Sequence, residues 1–235
     1  MIIFTIVNLP DMEAVFEAAA RLQELIPEAV LVGDTAAAHH AGHRISLDDD
    51  LVVVDLRDRF DQVLAALEDT DGWITARIKR PVLVLGQLDG VETGIRNLIR
   101  SLPLEVEEAM VGGRQLSVPT LVEITRIKAW LCLMRNATRD YLDFAALADR
   151  LGEHEAAAVV STMDVYYADQ FGPGGLRVAT QVAKQLAEPR PDDLSDVDLT
   201  SYRKLDRRWQ SWETVRDACR KVAVCVLDRL AGDSP

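Results

Sequence analysis

The stretch from residue 30 to residue 54, VLVGDTAAAHHAGHRISLDDDLVVV, constrains the fold of this chain more than any other part of it. A short apolar run ends at Gly33 and an alanine-rich run follows, which predicts a strand, a tight turn and a helix. Because the first N–H groups of a helix have no partner within it, a turn of this kind suits phosphate oxygens.

Three consecutive carboxylates, Asp48, Asp49 and Asp50, lead into the next apolar run at residues 51–54. Alternate side chains of a strand face opposite sides, so Asp48 and Asp50 are expected on one face, about 7 Å apart, and Asp49 on the other. Two carboxylates on one face can bind a divalent metal together with a triphosphate, and Mg²⁺ there would activate an attacking hydroxyl. A solvated turn before a strand is the structural alternative for the same triplet.

Four segments in a fixed order resemble the DNA polymerase β-like nucleotidyltransferase superfamily, and more closely its AbiEii-type branch of abortive-infection toxins. That branch typically has a Gly-Gly-Thr-like turn, an R-x-S/T-x-D-x-D segment, a helix bearing a lysine and an R-D-x-x-D segment. The corresponding segments of this chain are GDT at 33–35, RISLDDD at 44–50, ITRIKAWL around Lys128 and RDYLD at 139–143.

The resemblance implies an enzyme that uses Mg²⁺ and a nucleoside triphosphate to transfer a nucleotide to an RNA or protein acceptor. It also implies the toxin role in a toxin–antitoxin pair, with an antitoxin protein as partner. It assigns catalytic roles to Asp48, Asp50, Lys128 and Asp140, with Asp48 and Asp50 as the metal ligands. It assigns contacts with the nucleotide or the acceptor to Gly33, Asp34, Thr35, Arg44, Ser46, Arg139 and Asp143.

Two departures from this pattern leave a second interpretation open. Asp34 stands where the branch has a second small residue, and a carboxylate there repels phosphate, although it could instead cap the following helix. A third metal carboxylate is not clearly placed, with Asp89 and Glu92 as candidates. The alternative is a catalytically degenerate nucleotidyltransferase-fold protein that acts as a nucleotide- or protein-binding module.

Structural roles compete with these assignments in the second half of the chain. Lys128 lies on an apolar helical stripe, where its stem could simply cover apolar surface. Arg139, Asp140 and Asp143 also have the spacing of a charge pattern at the start of a helix.

Histidines and tryptophans offer weaker hypotheses. His39, His40 and His43 form an HHxxH pattern that lacks the glutamate of a metalloprotease motif, so we expect no zinc site there. Trp209 and Trp212 could stack on a base, but aromatic residues three positions apart on a terminal helix more often pack into the core.

The remaining hydrophobic pattern predicts an α/β (α+β) fold. Strands alternate with helices from a strand at Ile2–Val7 and a helix at 11–25 to a hairpin that contains Gly112 and Gly113. From Pro119 onward the pattern is helical, apart from a loop at 171–175. We therefore predict a mixed-sheet nucleotidyltransferase-like lobe at residues 1–118 and an all-helical lobe at residues 119–235.

Composition limits the kinds of partner that this chain is expected to bind. With a net charge of −12 among 235 residues, the chain lacks the excess of basic residues that a broad nucleic-acid-binding surface needs. The three cysteines have no metal-binding spacing and are expected to be reduced core thiols. We find no basic leader and no run of about 18 apolar residues, so we expect a cytoplasmic protein with no membrane segment.

Overall fold

The computed structural model describes residues 12–111, 113–170 and 177–232. The strand predicted at Ile2–Val7, the hairpin residue Gly112 and the loop predicted at residues 171–175 lie outside these ranges.

A five-stranded mixed sheet dominates the first half of the chain, with the strand order β1-β2-β5-β4-β3. Strands β2 and β5 are parallel, and the other neighbouring pairs are antiparallel. The strands are β1 (Val30–Val32), β2 (Asp48–Val53), β3 (Trp73–Lys79), β4 (Leu83–Leu88) and β5 (Val91–Asn97). The helices of this half are α1 (Met12–Leu25), α2 (Gly33–Ala41) and α3 (Leu56–Glu68), and a separate hairpin is formed by β6 (Val106–Val111) and β7 (Arg114–Pro119).

The two faces of the sheet differ because β2 alternates strictly between buried and partly exposed side chains. Leu51 and Val53 point into an apolar core that includes Leu22 of α1 and Phe60 of α3. The opposite face carries Asp48 and Asp50, so the alternation of the strand separates the two acidic residues from the core. The strand begins at Asp48 rather than at the predicted Leu51, because its pairing with β5 starts at the partners Asp48 and Glu92.

The second half is helical, with α4 (Leu121–Met134), α5 (Thr138–Leu151), α6 (Glu153–Ser161), α7 (Met163–Tyr166), α8 (Val178–Ala187) and α9 (Trp212–Gly232). Thr120 caps α4 by accepting a hydrogen bond from the backbone N–H of Glu123, which fixes the point where sheet gives way to helix. The predicted fold class, a mixed sheet followed by helices, is confirmed. The division into domains at residues 118 and 119 stays a prediction.

Both tryptophans of the terminal segment belong to the helical core. Trp209 lies in a short 3₁₀ turn before α9 and is buried, and Trp212 meets the ring of Tyr141 edge-on with centroids 5.9 Å apart. This arrangement agrees with packing rather than base stacking. In the part of the chain that the structure describes, no helix combines the length and the apolar character needed to cross a membrane.

Candidate functional site

The predicted glycine turn packs directly against the acidic strand. Gly33 begins α2 with φ +72°, a conformation that favours glycine. A Cβ atom at this position would lie 3.2 Å from Cβ of Asp50, so a larger residue would push the turn away from β2. The hydroxyl of Thr35 donates a hydrogen bond to the backbone oxygen of Asp48 and ties α2 to the strand.

Asp48 and Asp50 face the same side of the sheet, and each already has a hydrogen-bond donor. Ser46 donates its hydroxyl hydrogen to Oδ1 of Asp48 at 2.9 Å, and Arg96 donates from Nε to Oδ1 of Asp50 at 3.0 Å. Burial raises the pKa of Asp50, and Arg96 offsets only part of this effect. The arginine therefore stands beside the carboxylate as its counter-ion.

Asp49 lies on the opposite face and is only 1% exposed. Neither of its carboxylate oxygens has a hydrogen-bond partner among the described residues. Burial, followed by the charges of Asp50 and Asp48, raises the pKa of this carboxyl well above its usual value. Asp49 is thus a buried acid on the core-facing side of β2, opposite to Asp48 and Asp50.

A third carboxylate does not complete a metal site. Glu92 pairs with Asp48 across β2 and β5 and is exposed, whereas Asp89 lies in the β4–β5 turn and forms an ion pair with Arg21. The strand position opposite Asp50 is Gly94, where an added Cβ would come within 2.6 Å of the Asp50 carboxylate.

Within the described residues, no group of three or more His, Cys, Asp or Glu side chains is arranged to hold a metal ion. Asp48 and Asp50 could supply two carboxylate ligands to Mg²⁺ only together with substrate phosphates and water, and Arg96 already pairs with one of them. Magnesium use therefore stays a prediction from the resemblance. The rings of His39 and His40 lie 5.1 Å apart, but His40 contacts the backbone oxygen of Pro119, and His43 contacts Asp143.

Most of the remaining predicted residues meet in a buried group that we call the ionic cluster. Its members come from α2, the segment after it, α4 and α5, and they are Asp34, Arg44, Lys128, Asp140 and Asp143. Nζ of Lys128 is 2.6 Å from Asp34, 2.6 Å from Asp143 and 3.3 Å from Asp140. Nη2 of Arg44 is 2.8 Å from Asp34, and its Nε donates to Asp143 at 2.9 Å.

The charges of the ionic cluster stabilise one another. Burial opposes the charge on Lys128, but Asp143, Asp34 and Asp140 outweigh it and raise the lysine pKa. Burial likewise opposes ionisation of Asp143, yet Arg44 and Lys128 hold its pKa well below the usual range. Lys128, Arg44 and Asp143 are therefore charged at neutral pH and lie in mutual contact.

The ionic cluster affects which ligands the glycine turn can bind. Asp34 lies in the first turn of α2 rather than at its N-cap, which is Val32, and its carboxylate pairs with Lys128 and Arg44. An incoming phosphate at this helix end would meet the Asp34 carboxylate. The side chains of Lys128, Asp140 and Asp143 are completely buried, so they reach a ligand only if the surrounding helices separate.

An open cleft of about 520 Å³ lies over the exposed face of the sheet, next to Asp48 and Asp50. Arg96, Arg135 and Arg139 line it together with those two carboxylates. Of these three arginines, only Arg139 was predicted for the site. The strand alternation Glu92, Gly94, Arg96 could have indicated Arg96 once the pairing of β2 with β5 was known, whereas no local signal indicated Arg135.

Comparison with known proteins found similar sequences and, separately, similar solved structures. No known family model matches the sequence. The Mycobacterium tuberculosis protein named heme uptake protein MmpL11 is 33% identical over 232 residues, which cover 93% of this chain and 23% of that protein. The Mycolicibacterium smegmatis protein named mycolic acid-containing lipids exporter MmpL11 is 39% identical over 116 residues, covering 49% of this chain and 12% of that protein. The chain thus spans less than a quarter of the length of these relatives.

Solved structures supply the fold. The antibiotic-resistance factor ANT(2'')-Ia matches with a TM-score of 0.52 and 12% identity over 67% of this chain and 94% of its own. A Helicobacter pylori protein described as a nucleotidyltransferase matches with a TM-score of 0.50 and 16% identity over 95% of this chain and 96% of its own. At these identities the likeness shows the fold alone, and this chain has the fold of nucleotidyltransferases. Membership of the AbiEii-type branch stays a prediction.

Proposed function

We propose that this chain is a nucleotidyltransferase-fold domain that binds a nucleoside triphosphate without transferring it. The observation that carries the proposal is the position of Asp34. Its carboxylate lies at the start of α2, 2.6 Å from Lys128 and 2.8 Å from Arg44, where a catalytic member of the fold would need room and positive charge for phosphate.

Binding of the phosphates is assigned to the cleft arginines. Arg135 has no ion-pair partner among the described residues, and Arg139 is 44% exposed and 3.8 Å from Asp34. Guanidinium groups bind phosphate oxygens through pairs of N–H donors and need no metal for it. These arginines therefore suit a triphosphate that lies above the sheet rather than at the start of α2.

Transfer would require groups that are already engaged. The lysine predicted to contact phosphate is completely buried among three aspartates, and one of the two predicted metal ligands is paired with Arg96. A nucleotide-binding domain with these features suits a sensor within a longer protein. The relatives named for heme uptake and for export of mycolic acid-containing lipids are such longer proteins, and we propose that their matching region serves as a regulatory module.

Magnesium-dependent transfer is the second candidate, favoured by one observation. Asp48 and Asp50 face the cleft together, beside a glycine turn that no residue with a Cβ could form without a shift. Transfer to an RNA or protein acceptor, and a toxin role with an antitoxin partner, would follow from this candidate.

Calorimetric titration with each of the four ribonucleoside triphosphates, with and without magnesium, separates the candidates. We expect binding to the wild type that does not need magnesium. The Arg135→Gln/Arg139→Gln variant should bind at least tenfold more weakly, whereas Arg190→Gln, which removes an exposed arginine elsewhere, should bind like the wild type. The Asp34→Gly variant should bind about tenfold or more tightly, which corresponds to about 1.4 kcal/mol, because loss of the carboxylate frees Arg139 and the start of α2 for phosphate.

A transfer assay with α-labelled triphosphates and total RNA or protein as acceptor completes the test. The proposal predicts no labelled acceptor for the wild type. Label that is incorporated by the wild type and lost in the Asp48→Asn/Asp50→Asn variant would establish the second candidate. Absence of binding to every triphosphate would refute both.

A further inference from the structure

A second pocket, which we call the interlobe pocket, lies between the open face of the sheet and helix α4. It has a volume of about 380 Å³. Its walls are aliphatic side chains from the sheet, from the segment after β5 and from α4, and they include Val52, Leu83, Leu98, Leu104, Ile127 and Leu131. Pockets of this size and character usually bind a ligand through burial of apolar surface.

Unpaired positive charge surrounds this apolar pocket. Arg57, Lys79 and Arg135 line it, and none of the three forms an ion pair with another described residue. All three side chains are exposed at its rim. The carboxylate of Asp50 also borders the pocket but is paired with Arg96. The three unpaired cations therefore leave a positively charged rim, a local site for an anion in a chain with a net charge of −12.

The polar groups of the pocket argue against a nucleobase as its occupant. The side-chain amide of Asn97 is engaged at both ends, since its oxygen accepts from the backbone of Arg57 at 3.1 Å and its nitrogen donates to Leu98 at 2.6 Å. The guanidinium of Arg100 lies over the ring of Tyr167, 5.3 Å from its centroid. A base against the aliphatic wall would bury polar edges beside an amide that is already engaged, which costs affinity, whereas an acyl chain has no donor or acceptor to satisfy.

The geometry points to an anionic amphiphile with a single acyl chain as the ligand of the interlobe pocket. The chain lies against the aliphatic wall, and a carboxylate or phosphate head group contacts Arg57 and Lys79 at the rim. A fatty acid and a monoacyl phosphate share this chemistry. The pocket borders the cleft assigned to the triphosphate, since Asp50, Arg96 and Arg135 line both, but Arg57 and Lys79 do not line that cleft and so report on the interlobe pocket alone.

The test is titration of the full chain with dodecanoate, monododecyl phosphate and uncharged dodecanol, each below its aggregation concentration, followed by calorimetry and tryptophan fluorescence. Trp130 lines the pocket and serves as a local reporter. Saturable 1:1 binding of one or both anions, at least tenfold tighter than binding of dodecanol, supports the inference, and the tighter anion identifies the head group.

Charge and shape are tested by separate variants. Lys79→Gln combined with Arg57→Gln should weaken anion binding at least tenfold. Arg77→Gln, on the same strand but outside the pocket, should leave it unchanged. Leu131→Trp, which fills the pocket, should weaken binding of both anions and should leave triphosphate binding intact.

Equal affinity for dodecanol and dodecanoate would overturn the inference. So would wild-type affinity in the Lys79/Arg57 variant, or displacement of dodecanoate by ATP in a manner that depends on Lys79. Triphosphate titration of the same variants distinguishes this failure from failure of the proposed nucleotide binding.

Discussion

Asp143→Asn tests whether the ionic cluster is structural. The replacement has the shape of the original side chain but no charge. Asp143 is completely buried and accepts from His43 at 2.8 Å, from Arg44 at 2.9 and 3.0 Å, and lies 2.6 Å from Lys128. Its loss leaves Lys128 and Arg44 buried with one fewer counter-charge.

The magnitude follows from burial. Removing one partner of a buried ion pair costs about 3–5 kcal/mol, because the remaining charge stays away from water. Lys128 and Arg44 keep their contacts with Asp34, which places the expected loss near the lower end, about 3 kcal/mol. This is a large share of the roughly 5–15 kcal/mol that stabilises a typical domain.

Urea unfolding followed by tryptophan fluorescence measures the effect, and the same helix provides a matched control. Asp149 of α5 pairs with Arg208, but both side chains are about half exposed. Asp149→Asn should therefore cost only about 0.2–1 kcal/mol. If the two asparagine variants lost the same free energy of unfolding, the cluster would not hold the helices as we describe.

The pH dependence of Asp143→Asn has a definite sign. Burial opposes the charged form of Asp143, but the charges of Arg44 and Lys128 outweigh burial and lower the pKa of Asp143 in the folded chain. A depressed carboxyl pKa stabilises the fold above the unfolded-state pKa of about 3.9, and this stabilisation is lost as the pH falls toward the folded-state pKa. The difference between wild type and variant should be full at pH 7 and should shrink below about pH 4.

Two further substitutions test the sheet around the acidic strand. Asp49→Val should stabilise the chain by about 1–3 kcal/mol at pH 7, because it removes a buried carboxyl without a hydrogen-bond partner among the described residues. Since burial raises the pKa of Asp49, the wild type loses stability as the pH rises above about 3.9, so the gain in urea unfolding should be larger at pH 7 than at pH 4; an equal gain at both would contradict the assignment. Gly94→Ala should destabilise by about 1–3 kcal/mol, since its Cβ would come within 2.6 Å of the Asp50 carboxylate; an unchanged melting temperature would show that this contact is not tight.

Local signals predicted much of the sheet and of the turn. Gly33 could be recognised as a turn residue because it separates a short apolar run from an alanine-rich run. The alternation of Asp48 and Asp50 followed from strand geometry and needed no tertiary information. The start of β2 was misplaced by three residues, because three aspartates have poor strand propensity and only the pairing with β5 holds them in the strand.

The contacts that decide the chemistry were beyond sequence reasoning because they join distant segments. Arg96 reaches Asp50 only because β2 and β5 are parallel neighbours, 46 residues apart in sequence. Lys128 was expected either to contact phosphate or to cover apolar surface. The structure places it inside the ionic cluster, 94 residues from Asp34, and its contact with phosphate stays a prediction. Helix periodicity indicates that a lysine faces inward but not which charges meet it there.

Asp34 links the resemblance to the proposed loss of transfer. The start of α2 carries the partial positive charge of the helix, and Lys128 and Arg44 add two full charges within 3 Å of the Asp34 carboxylate. With glycine at this position, the same groups would lack an internal anion and would favour one from solution, such as phosphate. Asp34 supplies that anion from the chain itself, so the contact between α2, α4 and α5 needs no ligand. One substitution can thus exchange a ligand site for a structural ion pair. The Asp34→Gly variant should accordingly gain stability on addition of triphosphate, whereas the wild type should gain less.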